Sequence, residues 1–522
     1  MLLFKGPNMT KSVGAAGVSI LLLLSPACTD LTEVPSSSLT PDHFYSNETE
    51  AVGGLASVYA QLRATQYDWY DVSEVSTDEI IVPTRGTDWY DNGKWLDIHR
   101  QTWTANSPGA LDNMNNAYGG LSNGVARANV VLVNLEKVNF SSKPVIVAEL
   151  RTLRAFYYYL LMDMFGGVPI VTDVAIKTRE RNTRAEVFKF IEDELLAARP
   201  ALPDKWSADM NGRLTKGAVD AILASLYLNA EVYTGTVTTA GLQKGTARWQ
   251  DAVTVSDRLL TSGNYSLATN WRSNFTADNG NSPENIFVIK YLNQPGLGLV
   301  FVMKALHYNQ YSGGSTPWNG FSTLAETYNA FDPADTRRQI FLAGPQVNQV
   351  TGLPAKDRAG NPLVFDPNIP NDAQTGEANG VRILKWPVDL NHVDQNNGND
   401  YAFFRLAEIY LIKAEALNEQ SAANGPAAVA LINTVRARVF SPPKPLVTTL
   451  TQQQIRDAIL NERLFELTAE AKRRQDLIRM GKYNMPWAFK SAASLTQPYR
   501  ILMPIPLTQL ETNPLLKQNA GY

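Results

Sequence analysis

The sequence predicts a mainly α protein: a tetratricopeptide-like helical-repeat scaffold with one long, irregular, loop-rich insertion and minor β structure. Three observations lead there. Apolar residues recur at helical spacing through several separate segments. Small residues fall where paired helices would approach closely, at Ala218, Ala221 and Ala224 and again at Ala407, Ala414 and Ala416. From about 264 to 400 the chain turns rich in Gly, Asn and Pro, and periodicity fades. Helix pairs of this length suit a repeat of roughly 34 residues. The full repeat signature is absent, so the repeat is degenerate.

The first helix should start near Asn47, which can cap it, with Glu48 and Glu50 in the first turn. Its face is Val52, Leu55, Ala56, Tyr59 and Leu62. From 65 to 107 the aromatics Tyr67, Trp69, Tyr70, Trp89, Tyr90, Trp95 and Trp103 stand among Asp, Thr, Gly and Asn without a period, which reads as a long structured loop. Helices follow at about 116–135 and 145–165. The second stops at Gly166-Gly167 with Pro169 beyond. Further helices are expected at 184–198, 216–233, 249–262, 401–418, 426–439 and 452–479, with a short strand at 286–291.

Cys28 is the only cysteine in 522 residues. It follows Lys5, Lys11 and an apolar run over 14–24 that is shorter than the ~20 residues a bilayer-spanning helix needs. A basic lead, a short apolar core and small residues at its end describe a secretory signal. A thiol at that boundary suits lipoprotein processing, although Ser25 stands where Leu is usual. The expected organisation is a signal peptide over 1–27, lipidation at Cys28, a tether over 28–40 and one domain over 41–522.

The formal charge of −3 implies no basic surface and therefore no nucleic-acid partner. His43, His99, His307 and His392 are scattered, and no Cys/His ligand spacing exists. The Asp/Asn-rich stretch 389–400 lacks an EF-hand's closing Glu. No metal and no cofactor are expected.

Six islands share a common order. They are Cys28-Thr29-Asp30-Leu31-Thr32-Glu33-Val34-Pro35; Leu153-Arg154-Ala155-Phe156-Tyr157-Tyr158-Tyr159 continuing to Phe165-Gly166-Gly167-Val168-Pro169; and Gly212-Arg213-Leu214-Thr215-Lys216-Gly217-Ala218. Then come Arg405-Leu406-Ala407-Glu408-Ile409-Tyr410 onward, Ile459-Leu460-Asn461-Glu462-Arg463-Leu464-Phe465-Glu466-Leu467, and Pro504-Ile505-Pro506 with the ending Gly521-Tyr522. In these segments the chain resembles the SusD/RagB family of outer-membrane lipoproteins. Ala520 departs from the Pro often found before the final Gly-Tyr.

The resemblance implies a SusD-like helical scaffold whose loops bind a ligand. It also implies a SusC-like TonB-dependent transporter as partner and a lipid-anchored place on the outer-membrane surface. The usual ligand is an oligosaccharide, and some members handle peptides. The expected protein is a non-catalytic nutrient receptor; a peptide receptor, an exported glycan-degrading enzyme and a protein-binding scaffold are the alternatives.

Glu462 and Glu466 lie one turn apart on a helix. Glycosidase carboxylates instead face each other across a cleft. A structural ion network with residues such as Arg473 and Arg474 is the expected role, and no catalytic residue is assigned. The aromatic-polar loop is the candidate site. Sugar rings offer flat C–H faces and hydroxyl edges, which suit aromatic rings flanked by charged and amide groups. Arg85, Trp89, Tyr90, Asp91 and Trp95 supply both within a short segment, and Trp318-Asn319 adds a second aromatic in a Gly-rich loop. Trp69 and Tyr70 are secondary candidates. Some of these rings must instead pack the loops onto the scaffold.

Overall fold

Asn47 opens the first helix as its chemistry predicts, its side-chain oxygen accepting the Glu50 amide at 3.1 Å. The structure is a computed structural model that describes residues 47–522. The expected signal peptide, the Cys28 lipidation site and the 28–40 tether lie outside the described residues.

The N-terminal part carries α1 (Glu48–Gln61), α2 (Asp68–Val75), α3 (Lys94–Arg100), α4 (Ala110–Leu135), α5 (Lys143–Phe165), α6 (Arg184–Ala198), α7 (Lys216–Leu228) and α8 (Ala230–Tyr233). A small hairpin of β1 (Thr236–Thr238) and β2 (Gly241–Gln243) precedes α9 (Trp249–Leu260). The insertion holds β3 (Asn285–Ile289), α10 (Phe301–Ala305), β4 (Ser322–Thr323), α11 (Ala325–Ala330), β5 (Phe341–Leu342), β6 (Gly344–Pro345), β7 (Val364–Phe365) and β8 (Val381–Ile383). The chain then forms β9 (Tyr401–Arg405), α12 (Leu406–Gln420), α13 (Gly425–Arg436), α14 (Gln452–Leu467), α15 (Arg473–Arg479) and α16 (Leu507–Thr512).

The helices stack as neighbouring pairs, α4 on α5, α5 on α6, α7 on α9, α9 on α12, and α12 on α13 and α14. The architecture is mainly α and tetratricopeptide-like, as the spacing predicts. Helix α5 is buried almost all round from Ile146 to Phe165, which makes it the axis of the N-terminal half. Gly124 on α4 lets it approach: a Cβ there would stand 2.5 Å from the Tyr157 ring. Tyr157 in turn donates to the Val58 carbonyl of α1 at 2.8 Å. The small residues Ala218, Ala221 and Ala224 of α7 and Ala407, Ala414 and Ala416 of α12 are all buried.

Three expectations need correction. The 65–107 segment contains α2 and α3, because seven of the eight residues of α2 are buried, so it shows no amphipathic period. Residues 401–405 form a strand, not the start of a helix: β9 is buried throughout and pairs antiparallel with β3, Phe404 opposite Phe287 and Tyr401 opposite Ile289. The 452–479 helix breaks between α14 and α15, where Ala469 (φ 63°) and Ala471 (φ 58°) enter the left-handed region.

That break is held by buried charge. Lys385 donates to the carbonyls of Glu466 and Thr468 at 3.0 and 2.8 Å and pairs with Glu470. Glu462 and Glu466 do belong to a structural ion network, but with other partners than Arg473 and Arg474. Glu462 pairs with Arg337 and Arg436, both at 2.7 Å. Glu466 pairs with Arg337, Arg405 and Arg438 at 3.0, 2.9 and 2.6 Å. Arg473 instead binds Asp78, and Arg474 binds Asp163, each at 2.7 Å.

Two groups of buried carboxylates oppose one another as pH changes. Burial pushes Glu466 up, but Arg438, Arg405 and Arg337 outweigh it and hold it well below the glutamate range. Burial is likewise overcome at Glu470 by Arg405 and Lys385, and at Asp476 by Arg463 and Arg479. The stability these three contribute is complete above the unfolded values of about 4 and is lost as pH falls through the lower native ones. Burial raises the second group: Asp71 to about 6, Glu74, and Glu79, where the Glu74 charge adds to it. Their contribution is complete below about 4 and is lost as pH rises through the raised native values. Thermal melts are therefore expected to show stability rising from pH ~8 to ~5 and falling steeply below ~4. Glu74→Gln should flatten the upper limb; a wild-type midpoint that climbed steadily from pH ~5 to ~8 would contradict this assignment.

Candidate functional site

The aromatic loop after α2 is set by a tight reversal. The Arg85 and Asp88 backbones exchange hydrogen bonds at 2.9 and 3.0 Å, and Trp89 follows in the left-handed region at φ 64°. Arg85 is a strut of this turn. Its guanidinium is buried and donates to the Gly376 carbonyl at 2.6 Å and the Ser322 hydroxyl at 2.9 Å. Burial lowers its pKa to about 9.

The second loop is built on α10. The Trp318 amide donates to the Met303 carbonyl at 2.7 Å, the Asn319 amide to Leu306 at 2.9 Å, and the Gly320 and Phe321 amides to Lys304 at 2.9 and 2.8 Å. Asn319, at φ 54°, is fully buried. Its oxygen accepts Arg382 Nε at 3.0 Å and Nη2 at 2.7 Å, and its amide donates to the Glu377 carbonyl at 3.0 Å.

The two loops, far apart in sequence, are locked together. Trp89 Nε1 donates to the Trp318 carbonyl at 2.5 Å. The Trp89 ring meets Trp95 and Phe321 edge to face, at centroid distances of 5.4 and 5.8 Å. Trp95 is 4% exposed, and its Nε1 donates to Asp91 at 2.7 Å, so it braces the loop from beneath. Trp89 and Trp318 are half-buried, Asp91 is exposed, and Tyr90 is 58% exposed.

Trp69 and Tyr70 sit elsewhere, in the core. They are 1% and 3% exposed; Trp69 lies 5.6 Å from the Phe403 ring, and Tyr70 stacks on Phe301 at 4.4 Å. Neither offers a ring face to solvent. Among the residues predicted from sequence, surface ring area belongs to Trp89, Tyr90 and Trp318.

Sequence reasoning passed over a third group at the same place. Tyr308 donates to Asp88 Oδ2 at 2.5 Å, and the Arg358 guanidinium lies 4.4 Å from its ring centroid. Arg358 binds Glu377 at 2.7 Å and approaches Asp88 at 3.4 Å. His307 is fully buried with Nε2 3.4 Å from Glu377; burial lowers its pKa to about 4, so it is neutral near pH 7. Tyr308 carries the same signal as Trp318, an aromatic in a polar, aperiodic stretch, and that signal would have found it.

The result is a platform of the half-exposed Trp89, Trp318 and Tyr308 with the exposed Tyr90 beside them, edged by carboxylates, amides and carbonyls. Rings of this kind pack on flat apolar faces, while the edges accept hydrogen bonds from hydroxyls. The geometry suits a ligand with both features.

Comparison with known proteins places the scaffold. Residues 238–522 match the family described as "SusD family", and residues 46–228 match one described as "Starch-binding associating with outer membrane". The chain is similar to SusD-like protein P25 of Formosa agariphila, at 26% identity over 94% of this chain and 96% of that one. It is also similar to the starch-binding protein SusD of Bacteroides thetaiotaomicron, at 27% identity over 72% of each. Among solved structures, surface glycan-binding protein A of Bacteroides thetaiotaomicron in complex with laminarihexaose superposes with a TM-score of 0.69. That match has 18% identity and covers 90% of this chain and 99% of that one, a likeness of fold. With the helical pairs, the loop-rich insertion and matches in chain order from residue 46 to 522, the protein belongs to the SusD family.

Proposed function

We propose that the protein is a non-catalytic glycan receptor, anchored through Cys28 on the outer-membrane surface, that passes oligosaccharides to a SusC-like TonB-dependent transporter. The observation that carries the glycan reading is the lock of the Trp89 indole onto the Trp318 carbonyl, which fixes that half-exposed ring on the loop bearing the half-exposed Trp318 before any ligand arrives. Preset rings lose little conformational freedom on binding. The starch-binding name of the Bacteroides thetaiotaomicron relative supports the same ligand class. In this reading Arg85, Trp95 and Asn319 hold the platform, while Trp89, Tyr90, Asp91, Trp318 and Tyr308 meet the sugar. Lipidation supplies stable attachment, and tethering beside a transporter raises the effective concentration of a weakly held ligand.

The test is titration with laminarihexaose and maltoheptaose. Trp89→Ala and Trp318→Ala should each weaken binding about tenfold or more, equivalent to ~1.4 kcal/mol, with the fold retained. Undiminished affinity in both would remove the platform, and hydrolysis of either sugar would overturn the non-catalytic reading. Cys28→Ser should release the protein from the cell surface while leaving sugar affinity unchanged; a surface-bound Cys28→Ser protein would refute the anchor.

A further inference from the structure

We propose that the platform selects uncharged glycans and excludes chains bearing carboxylate or sulfate groups. This rests on the glycan reading above and narrows it. Recognition of an anionic sugar calls for a guanidinium or ammonium free to face it, and bidentate arginine is the usual device. Here the guanidinium groups around the rings are paired within the protein.

Arg358 is the exposed guanidinium of the group. Glu377 takes both its Nε, at 2.7 Å, and its backbone amide, at 2.9 Å, while Asp88 stands 3.4 Å from Nη1. Arg85 and Arg382 are buried; Arg85 donates to Gly376 and Ser322, and Arg382 to Asn319, Glu377, Asn379 and Gly380. Lys94 is half-buried against the Trp95 ring, 4.8 Å from its centroid. His307 is neutral near pH 7, as described above.

Carboxylates reach the surface beside Arg358. Asp91 is exposed, and the Asp88 side chain is 36% exposed. A sulfate or uronate over Tyr90 would meet these like charges, and drawing Arg358 away would strand Glu377. Hydroxyl groups meet no such conflict, since carboxylates and carbonyls accept from them. Exclusion of anions and acceptance of neutral sugars thus come from the same edges.

The experiment is affinity electrophoresis of the wild-type protein through gels holding laminarin or amylose, both neutral, or alginate or carrageenan, both anionic. It is run at low salt, where screening is weakest. At least one neutral polymer is expected to retard the protein about tenfold more than either anionic one. Retardation by an anionic polymer that fades as salt is added would overturn this inference and leave the glycan reading standing. No retardation by any of the four would sink both. Glu377→Gln, checked for folding by its melting curve, frees Arg358 from its main partner and should gain retardation by alginate or carrageenan. If it stays as indifferent to them as the wild type, committed pairing is not the cause of exclusion.

Discussion

Glu466→Gln is expected to destabilise the protein by about 3–5 kcal/mol, the range for removing one partner from a buried ion pair. The carboxylate is fully buried. Its Oε1 accepts Trp271 Nε1 at 2.8 Å, Arg405 at 2.9 Å and Arg438 at 2.6 Å, and its Oε2 accepts Arg337 at 3.0 Å. Glutamine preserves the shape but removes the charge, and it turns an NH2 group toward a guanidinium that needs an acceptor. The cost is that of cations left uncompensated in a dry interior, which exceeds the net worth of the pairs themselves. Because Arg405 lies in β9, Arg337 beside β5 and Arg438 after α13, one carboxylate clamps the insertion to the helical scaffold. Chemical denaturation measures the loss. Glu462→Gln is the comparison: its partner Arg436 is 14% exposed, so water relieves part of the deficit and the loss should be smaller. A Glu466→Gln protein within about 1 kcal/mol of wild type would show that the network contributes little.

Much of the scaffold was legible because its signals are local. Asn47, Thr183 and Thr451 cap α1, α6 and α14 through their own side chains, and Gly166 ends α5 at φ 78°. What sequence reasoning misassigned depends on distant partners. Helix α2 hides its period because both faces are covered. The Tyr401–Arg405 run becomes a strand because β3 lies beside it, and the break after Leu467 exists because Lys385, far back in the chain, takes the carbonyls there. The candidate site divides the same way. That aromatics in polar loops matter could be read at Trp89 and Trp318, but their lock is a long-range indole–carbonyl bond that no local pattern encodes. Burial then separates the struts Arg85, Trp95 and Asn319 from the rings that face outward, and moves Trp69 and Tyr70 into the core.

The lock can be broken without touching either tryptophan. Gly320→Ala is expected to weaken oligosaccharide binding about tenfold or more while the helical scaffold stays folded. A Cβ at position 320 would land within the Trp89 indole, against its Cε2 and Cζ2 atoms. The indole cannot stay. As it swings away it loses the Trp318 carbonyl and its edge-to-face contacts with Trp95 and Phe321. Overpacking of this kind costs about 1–3 kcal/mol, which a domain of this size tolerates, so the loss should appear in binding before it appears in folding. Tryptophan fluorescence should shift to the red as the ring meets water. The decisive comparison is the double variant with Trp89→Ala. If Gly320 acts only by giving the indole its place, the second substitution adds nothing once the ring is gone, and the two effects are non-additive. Full affinity in Gly320→Ala, or two losses that simply add, would mean that the position of Trp89 is not what the ligand reads.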